Sequence, residues 1–535
     1  MTTSSVMTGS TTSSGTAAAD ARRRAPVRAR AGWAGRAVPW RVVSDWLDRP
    51  MASFHLVLAV FALMLGFGLL MVLSSSAATA FNRSDSAFAV FTNQALFAAI
   101  GLIAFVIVIR MPLRLIRSLS TTAVIVSLAL LAAVLIPGIG TTYFGARSWI
   151  SIGHSFQFQP SEVAKLALLL WSAHVMASVR SPYRRLKSLL IPVLPVFVLM
   201  VGLVMLQPDL GTTVTLTIVF LAVLYFAGAQ LWIFGGLVAA GALALGFLAT
   251  SAGYRMARVT AWLHPDVADP ASTYQSFQGF YAMGSGGLFG VGLGQSKMKW
   301  GRLPNADSDF IFAIIGEELG LIGTLTVILL FAVLAYVGLR IARRNVDPFV
   351  KIAAAGGTVW LVGQAAVNIG YVTGLLPVTG IPLPMFSSGG TSLVITMVVF
   401  ALLANFARRE PQAAAALHGV GPRGLAAFLG IGMSRVDRPS SRRAARRAER
   451  VRARRAKARA QVSGAAVAGR EPMPAIGRRT PAGTASYPPP SRTTRRKTAH
   501  KTYRLRRAFG FPVPGDRRSV PSGRGRPSPG RTVRP

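Results

Sequence analysis

From Phe54 to Ala407 the chain is a succession of apolar stretches separated by polar or glycine-rich breaks. A helix that crosses a bilayer needs roughly 20 mostly apolar residues. Ten stretches approach that length with few internal charges: 54–74, 94–109, 121–138, 162–178, 189–206, 212–228, 231–250, 310–338, 352–373 and 391–407. The pattern predicts an all-α fold, a polytopic membrane domain over 51–410 with an extension at 1–50 and a tail at 411–535. The first stretch comes too late and runs too long for a cleaved signal peptide, so 54–74 is expected to be an uncleaved span.

Basic residues fall in alternate loops: Arg110, Arg114 and Arg117; Arg180, Arg184, Arg185 and Lys187; Arg340, Arg343, Arg344 and Lys351; then Arg408 and Arg409. The bias of Lys and Arg toward the cytoplasmic side puts these loops and both termini in the cytoplasm. The other loops then face outward, and the longest, 251–309, joins spans seven and eight. Together with 145–162, 207–211 and 376–390 it holds most of the Gly, Pro and polar residues, which is where a site or a docking surface is expected.

Composition supports this picture. The chain is 52% hydrophobic and 14% charged, with a mean hydropathy of +0.46, too apolar for an ordinary soluble multidomain protein. The net charge of +41 would suggest nucleic acid were it not so unevenly placed. Residues 435–535 alone carry 29 Lys+Arg against 4 Asp+Glu. A Pro- and Arg-rich tail of this kind cannot bury a core and is expected to be disordered. Directly after a last span it suits anionic inner-leaflet lipid, at ~1 kcal/mol per basic residue near the surface, rather than nucleic acid. With no cysteine, thiolate catalysis and disulfides are excluded.

Several residues could carry chemistry. The run Gly284-Ser-Gly-Gly-Leu-Phe-Gly-Val-Gly-Leu-Gly294 does not fit G-x-G-x-x-G; it reads as a re-entrant or amphipathic loop, or as backbone N–H groups offered to a diphosphate. Asp309 stands where polar loop becomes apolar helix, either as a cap or as a working carboxylate, and Asp307 and Ser308 could also cap. Glu317 and Glu318 inside that helix, and Lys165 three residues after Glu162, are charges that must be paired or reach water. Ion pairs between helices are one account of them, a substrate path the other. Asp209, beside Pro208, is a cap or a cavity residue. Arg147, Arg258, Lys299 and Arg302 are outward cations of the kind an anionic diphosphate would require.

In order along the chain, Gly145-Ala-Arg147 with Trp149, Gln159-Pro-Ser-Glu162 with Lys165, and Gln207-Pro-Asp-Leu-Gly211 open a series of short motifs. Tyr274-Gln275, Gly292 to Ser296 with Lys299, Leu303-Pro304, Asp309-Phe-Ile-Phe312 and Gly316-Glu-Glu-Leu-Gly320 continue it, and Asn368, Thr379-Gly380, Pro382-Leu-Pro384, Ser387 and Gly389-Gly390 complete it. These motifs resemble the SEDS family (shape, elongation, division and sporulation), the multi-span peptidoglycan glycosyltransferases that include FtsW and RodA. The resemblance covers about 50–410, and its long basic extensions are most similar to the actinobacterial division branch.

The resemblance implies an inverting polymerase of lipid II, acting at the outer face of the cytoplasmic membrane at the division septum, with a class B penicillin-binding protein and other divisome proteins as partners and no cofactor. By motif, Asp309 matches the family's proposed catalytic aspartate. Arg147, Arg258, Lys299, Gln207, Asp209 and Ser387 are the expected substrate-binding residues, with Asp307, Lys165, Glu162, Glu317 and Glu318 as modulators; no metal ligands are expected. Two positions depart from the family's pattern: Asp307-Ser308 replaces a polar His-containing pair, which could split the proton between two carboxylates, and Met385 and Ser388 stand where aromatics are usual. A lipid II flippase, an elongation polymerase, or a scaffold acting through its tails are the competing readings.

Overall fold

The computed structural model describes residues 47–420, apart from 85, 144–145, 153–155, 180–185, 238, 240, 242–259 and 267. The chain divides into two units, Met1–Ala444 and Ala445–Pro535. The second lies wholly outside the described residues, as do nearly all of the predicted extension and tail.

The described part is helical, as expected. In chain order it contains α1 (Ala52–Ser84), α2 (Ala89–Arg110), α3 (Leu113–Leu135), β1 (Gly140–Tyr143), β2 (Ala146–Ile152), β3 (Phe156–Phe158), α4 (Pro160–Ser178), α5 (Leu186–Met205) and α6 (Leu210–Phe226). It continues with α7 (Pro270–Gly286), α8 (Ile311–Arg344), α9 (Pro348–Val372), α10 (Gly390–Ala407) and α11 (Pro411–Val420). Helices occupy every predicted span; of 231–250 only 231–237, 239 and 241 are described, and these are helical. Among the described residues six helices (α1, α2, α3, α8, α9 and α10) are long and apolar enough to cross a membrane. Two elements were not legible in the pattern. The loop after α3 holds a three-stranded antiparallel sheet, β1-β2-β3, in which Thr141 faces Trp149 and Ile150 faces Phe158, and α7 lies inside the long polar loop.

Local chemistry sets the helix ends. Pro112 has no N–H to continue α2 and instead precedes the first residue of α3. Asp347 caps α9 by accepting from Phe349 N at 3.0 Å, with Pro348 at the first helical position. Between helices, small residues permit close approach: a Cβ on Gly101 of α2 would lie 2.3 Å from Met397 Sδ of α10. Rings fill the wider gaps, Phe61 stacking on Phe105 at 4.4 Å and Phe197 on Phe220 at 4.0 Å.

One end of the bundle is tied by arginines. Arg117 pairs with Asp347 and lies 4.9 Å over the Phe349 ring, and Arg344 reaches Asp48 at 3.2 Å and Glu410 at 4.0 Å. Arg340 donates to Leu47 O ahead of α1 and Arg408 to Ile109 O in the last turn of α2, where the carbonyl has no partner further along the helix. The small sheet, α7 and the 376–390 segment gather at the other end.

Helix α8 is broken at Gly320, whose φ of 65° and ψ of −161° are non-helical. The break is sharp. A Cβ on Gly323 would lie 3.4 Å from Ile315 Cγ2, whereas residues eight apart in a straight helix are separated by ~12 Å. The glycine run bridges the gap in the ladder: Val291 N and Gly292 N donate to Glu317 O and Glu318 O at 2.9 and 3.0 Å, while Leu321 N and Ile322 N donate to Gly287 O and Leu288 O at 3.0 and 3.3 Å. A segment read as a loop is thus a splint on a broken helix.

Candidate functional site

A cavity of about 320 Å³ opens at the end of the bundle away from the arginines, lined from β2, β3, α4, α6, the segment before α8 and the segment before α10. Asp309, Glu162, Lys165 and Asp209 are its ionisable residues, and Trp149, Gln157, Gln159, Thr212, Ser308 and Ser387 supply ring and polar surface. A mixed polar and aromatic lining of this kind suits a saccharide, whose hydroxyls need donors and acceptors and whose ring faces pack on aromatics.

Asp309 is held through its backbone. Its carbonyl accepts from Asn368 Nδ2 at 2.9 Å, and the second N–H of the same amide donates to Ile381 O at 2.7 Å; the Tyr371 hydroxyl lies between these two carbonyls, 2.9 Å from Asp309 O and 2.8 Å from Ile381 O, with its single proton to offer them. Two residues three apart on α9 thus tie the Asp309 segment to the 380–381 wall beside it, and Asp309 lines the cavity together with that wall. Phe310 is fully buried beside the Tyr371 ring at 5.7 Å. Gly380 forms part of that wall: a Cβ there would lie 3.5 Å from Asp309 Oδ2.

Asp307 does not share the cavity. Its Oδ2 accepts from Ser388 Oγ at 2.8 Å and its carbonyl from Ser388 N at 2.8 Å. The residues at two departures from the family pattern are therefore each other's partners, and the carboxylate expected to compete for the proton is committed to a clasp. Ser387 makes the neighbouring tie, donating to Ser308 O and accepting from Leu383 N, both at 2.7 Å.

Glu162 and Lys165 pair at 2.8 Å, both buried, within α4 rather than between helices. Lys165 also reaches Gln364 Oε1 at 3.5 Å and lies 5.3 Å over the Trp360 ring. Asp209 is both a cap and a cavity residue: Oδ1 accepts from Thr212 N at 2.9 Å and Oδ2 from Thr212 Oγ1 at 2.7 Å.

Three residues expected at the substrate are placed elsewhere. Lys299 is buried, with Nζ donating to Gly294 O at 2.7 Å, Ser74 O at 3.2 Å and Glu318 Oε1 at 3.1 Å. An ammonium has three donors, and all are engaged in holding the glycine run to α1 and α8. Arg147 is not in the cavity lining and donates to Leu135 O at the end of α3, at 3.5 Å. Gln207 is buried against α3, donating to Leu131 O at 3.0 Å. Arg258 lies outside the described residues.

Glu317 accepts from Ser296 Oγ at 2.5 Å and Lys297 N at 2.9 Å, and Glu318 from Ser74 Oγ at 2.5 Å as well as from Lys299. Both carboxylates are internally satisfied, which answers the cost of burying them. Among the described residues no cluster of three or more His, Cys, Asp or Glu could hold a metal ion.

The model of the cell cycle protein family of FtsW, RodA and SpoVE matches residues 54–412. The chain belongs to this family. It is therefore a multi-pass membrane protein. A probable peptidoglycan glycosyltransferase FtsW from Mycobacterium tuberculosis is 45% identical over 383 residues, covering 72% of this chain and 73% of that one. Stage V sporulation protein E of Bacillus subtilis is 39% identical over 355 residues, covering 66% and 96%. Among solved structures, a chain from work on the coordination of polymerization and crosslinking by a peptidoglycan synthase complex aligns with a TM-score of 0.55 at 27% identity, covering 69% of this chain and all of that one.

Sequence reasoning assigned no role to Tyr371, or to Asn368 beyond its motif. The signal available was an Asn and a Tyr spaced i, i+3 on one face of a span, where polar groups are costly unless they hold something.

Proposed function

We propose that this chain is a peptidoglycan glycosyltransferase that polymerises lipid II during septal wall synthesis, with Asp309 as the general base. The observation that carries the reading is the division of labour between two carboxylates two residues apart: Asp309 lines a polar cavity that Trp149 also lines, whereas Asp307 is not among the lining residues and accepts from Ser388, which is. Kinship with proteins named peptidoglycan glycosyltransferase supports the reaction class.

In the proposed step the acceptor's 4-hydroxyl oxygen attacks the anomeric carbon of the donor. A carbon–oxygen bond forms as the bond to the diphosphate oxygen breaks, and the diphosphate departs with the electron pair. The hydroxyl proton passes to the Asp309 carboxylate within hydrogen-bond reach. One direct displacement inverts the anomeric centre. A diphosphate leaves without the second carboxyl group that glycosidases use as a general acid. Lys299 takes no part, since its donors are spent within the protein.

The cavity end is assigned to the outer face, and the arginine-tied end and both termini to the cytoplasm, in keeping with the bias of basic residues. Likeness to a chain of a peptidoglycan synthase complex supports a class B penicillin-binding partner. The test is lipid II polymerisation by purified, reconstituted protein with and without that partner. Loss of glycan strands in Asp309→Asn, with folding intact, is expected; translocation of lipid II without polymerisation by the parent chain would overturn the assignment.

A further inference from the structure

The splint on α8 has an outer surface of its own. Leu288, Phe289 and Leu293 are 62%, 78% and 50% exposed, and they continue onto exposed Leu321 and Ile322 at the start of the second half of α8. Between Gly284 and Gly294 there is no charged side chain. Four backbone groups flanking the tip, Gly287 O, Leu288 O, Val291 N and Gly292 N, are paired with α8, and Gly290 N donates to Gly286 O, which lowers the cost of placing the segment outside water; the nearby charges of Glu317, Glu318 and Lys299 are turned inward and satisfied.

Two independent rulers give the level of this tip. Along the unbroken part of α8, Arg340 to Leu321 is nineteen residues, or ~29 Å at 1.5 Å per residue. Along α1, the helix start at Ala52 to Ser74, whose hydroxyl accepts from Gly294 N at 3.2 Å, is twenty-two residues, or ~33 Å. Both place the tip one hydrocarbon thickness, ~30 Å, from the arginine-tied end. Trp300, 59% exposed in the turn that follows the segment, is the residue type that gathers at this boundary.

We propose that the glycine-rich segment 287–294 is a membrane-docking element whose Leu288–Phe289 tip inserts into the far hydrocarbon boundary of the bilayer. The docking partner is the lipid of that leaflet. The insertion stands apart from the assigned chemistry. Its consequence, that the bilayer boundary fixes the level of Asp309 against a lipid-borne headgroup, rests on the proposed function.

The natural absence of cysteine makes the test direct. Phe289→Cys, carrying a nitroxide in proteoliposomes, is compared with Leu325→Cys on the exposed apolar face of α8 and with Asp266→Cys on an exposed polar loop. Collision rates with oxygen, which partitions into lipid, and with a water-soluble nickel chelate are measured at each site. At 289 oxygen collisions are expected to exceed nickel collisions several-fold, as at 325. A nickel-dominated signal like that at 266 would overturn the proposal, as would protection from both reagents, which would mean that protein covers the tip. Because the readout needs no activity, its failure leaves the glycosyltransferase reading untouched, and the converse also holds.

Discussion

Removing the ammonium of Lys299 should cost stability and not chemistry. Lys299 and Glu318 pair at 3.1 Å with 4% and 0% of their side chains exposed. Lys299→Met leaves Glu318 with Ser74 Oγ as its remaining described donor, and breaking a buried pair from one side costs about 3–5 kcal/mol because the surviving charge is uncompensated. Glu318→Gln strands the ammonium instead and should cost a comparable amount. The double variant Lys299→Met/Glu318→Gln buries no charge and should cost less than either single variant, giving a coupling energy of at least about 3 kcal/mol, at the upper end for residues in contact. The assay is thermal unfolding in detergent at a fixed scan rate, since unfolding of such a protein is a rate as much as an equilibrium. Lipid II polymerisation is measured below the transition on the same samples. An unchanged melting temperature with polymerisation lost in Lys299→Met would refute this reasoning and return Lys299 to the diphosphate.

Asp307→Asn should keep polymerisation within a few-fold of the parent while losing about 1–2 kcal/mol of stability as its charge-assisted bond from Ser388 weakens; loss of activity equal to that of Asp309→Asn would show a shared proton. Gly320→Ala places a Cβ 2.4 Å from Gly290 N at a φ of 65°, so the splint must separate from α8; a fall in melting temperature on the order of that from Lys299→Met is expected, and a melting temperature at the parent's value would contradict the break. Burial raises the Glu410 carboxyl above its ordinary value of 4.5, against the opposing pull of Ser53, Arg344 and Arg340. Its folded state therefore holds the proton more tightly than the unfolded chain, and its contribution to stability falls as pH rises from about 4.5 through the raised value, levelling off above it. Glu410→Gln should remove that slope and raise the melting temperature at neutral pH; a steeper loss toward neutrality would reverse the sign.

Period and length in the apolar pattern carried the membrane helices, because a spanning helix must satisfy its own backbone and be apolar for one bilayer thickness. The same pattern could not show the sheet at 140–158, whose strands are short and stabilised by pairing with one another, nor α7, whose polar composition resembles a loop. At the site, Asp309 and Asp209 stand out in the sequence because carboxylates at helix starts are few and conspicuous, and both line the cavity. The placement of Lys299 is not legible in the sequence for a physical reason: a cation in a polar loop looks solvent-facing until the fold brings Ser74 and Glu318 around it. Likewise the bond from Ser388 to Asp307 spans 81 positions in sequence, so two separate oddities gave no sign of being one contact.

The most direct measurement is lipid II polymerisation by the reconstituted chain with its synthase partner, comparing the parent, Asp309→Asn and Asp307→Asn at matched folding. Glycan strands from the parent and from Asp307→Asn, with none from Asp309→Asn, are predicted. Strands from Asp309→Asn at the parent's rate would contradict the account at its centre.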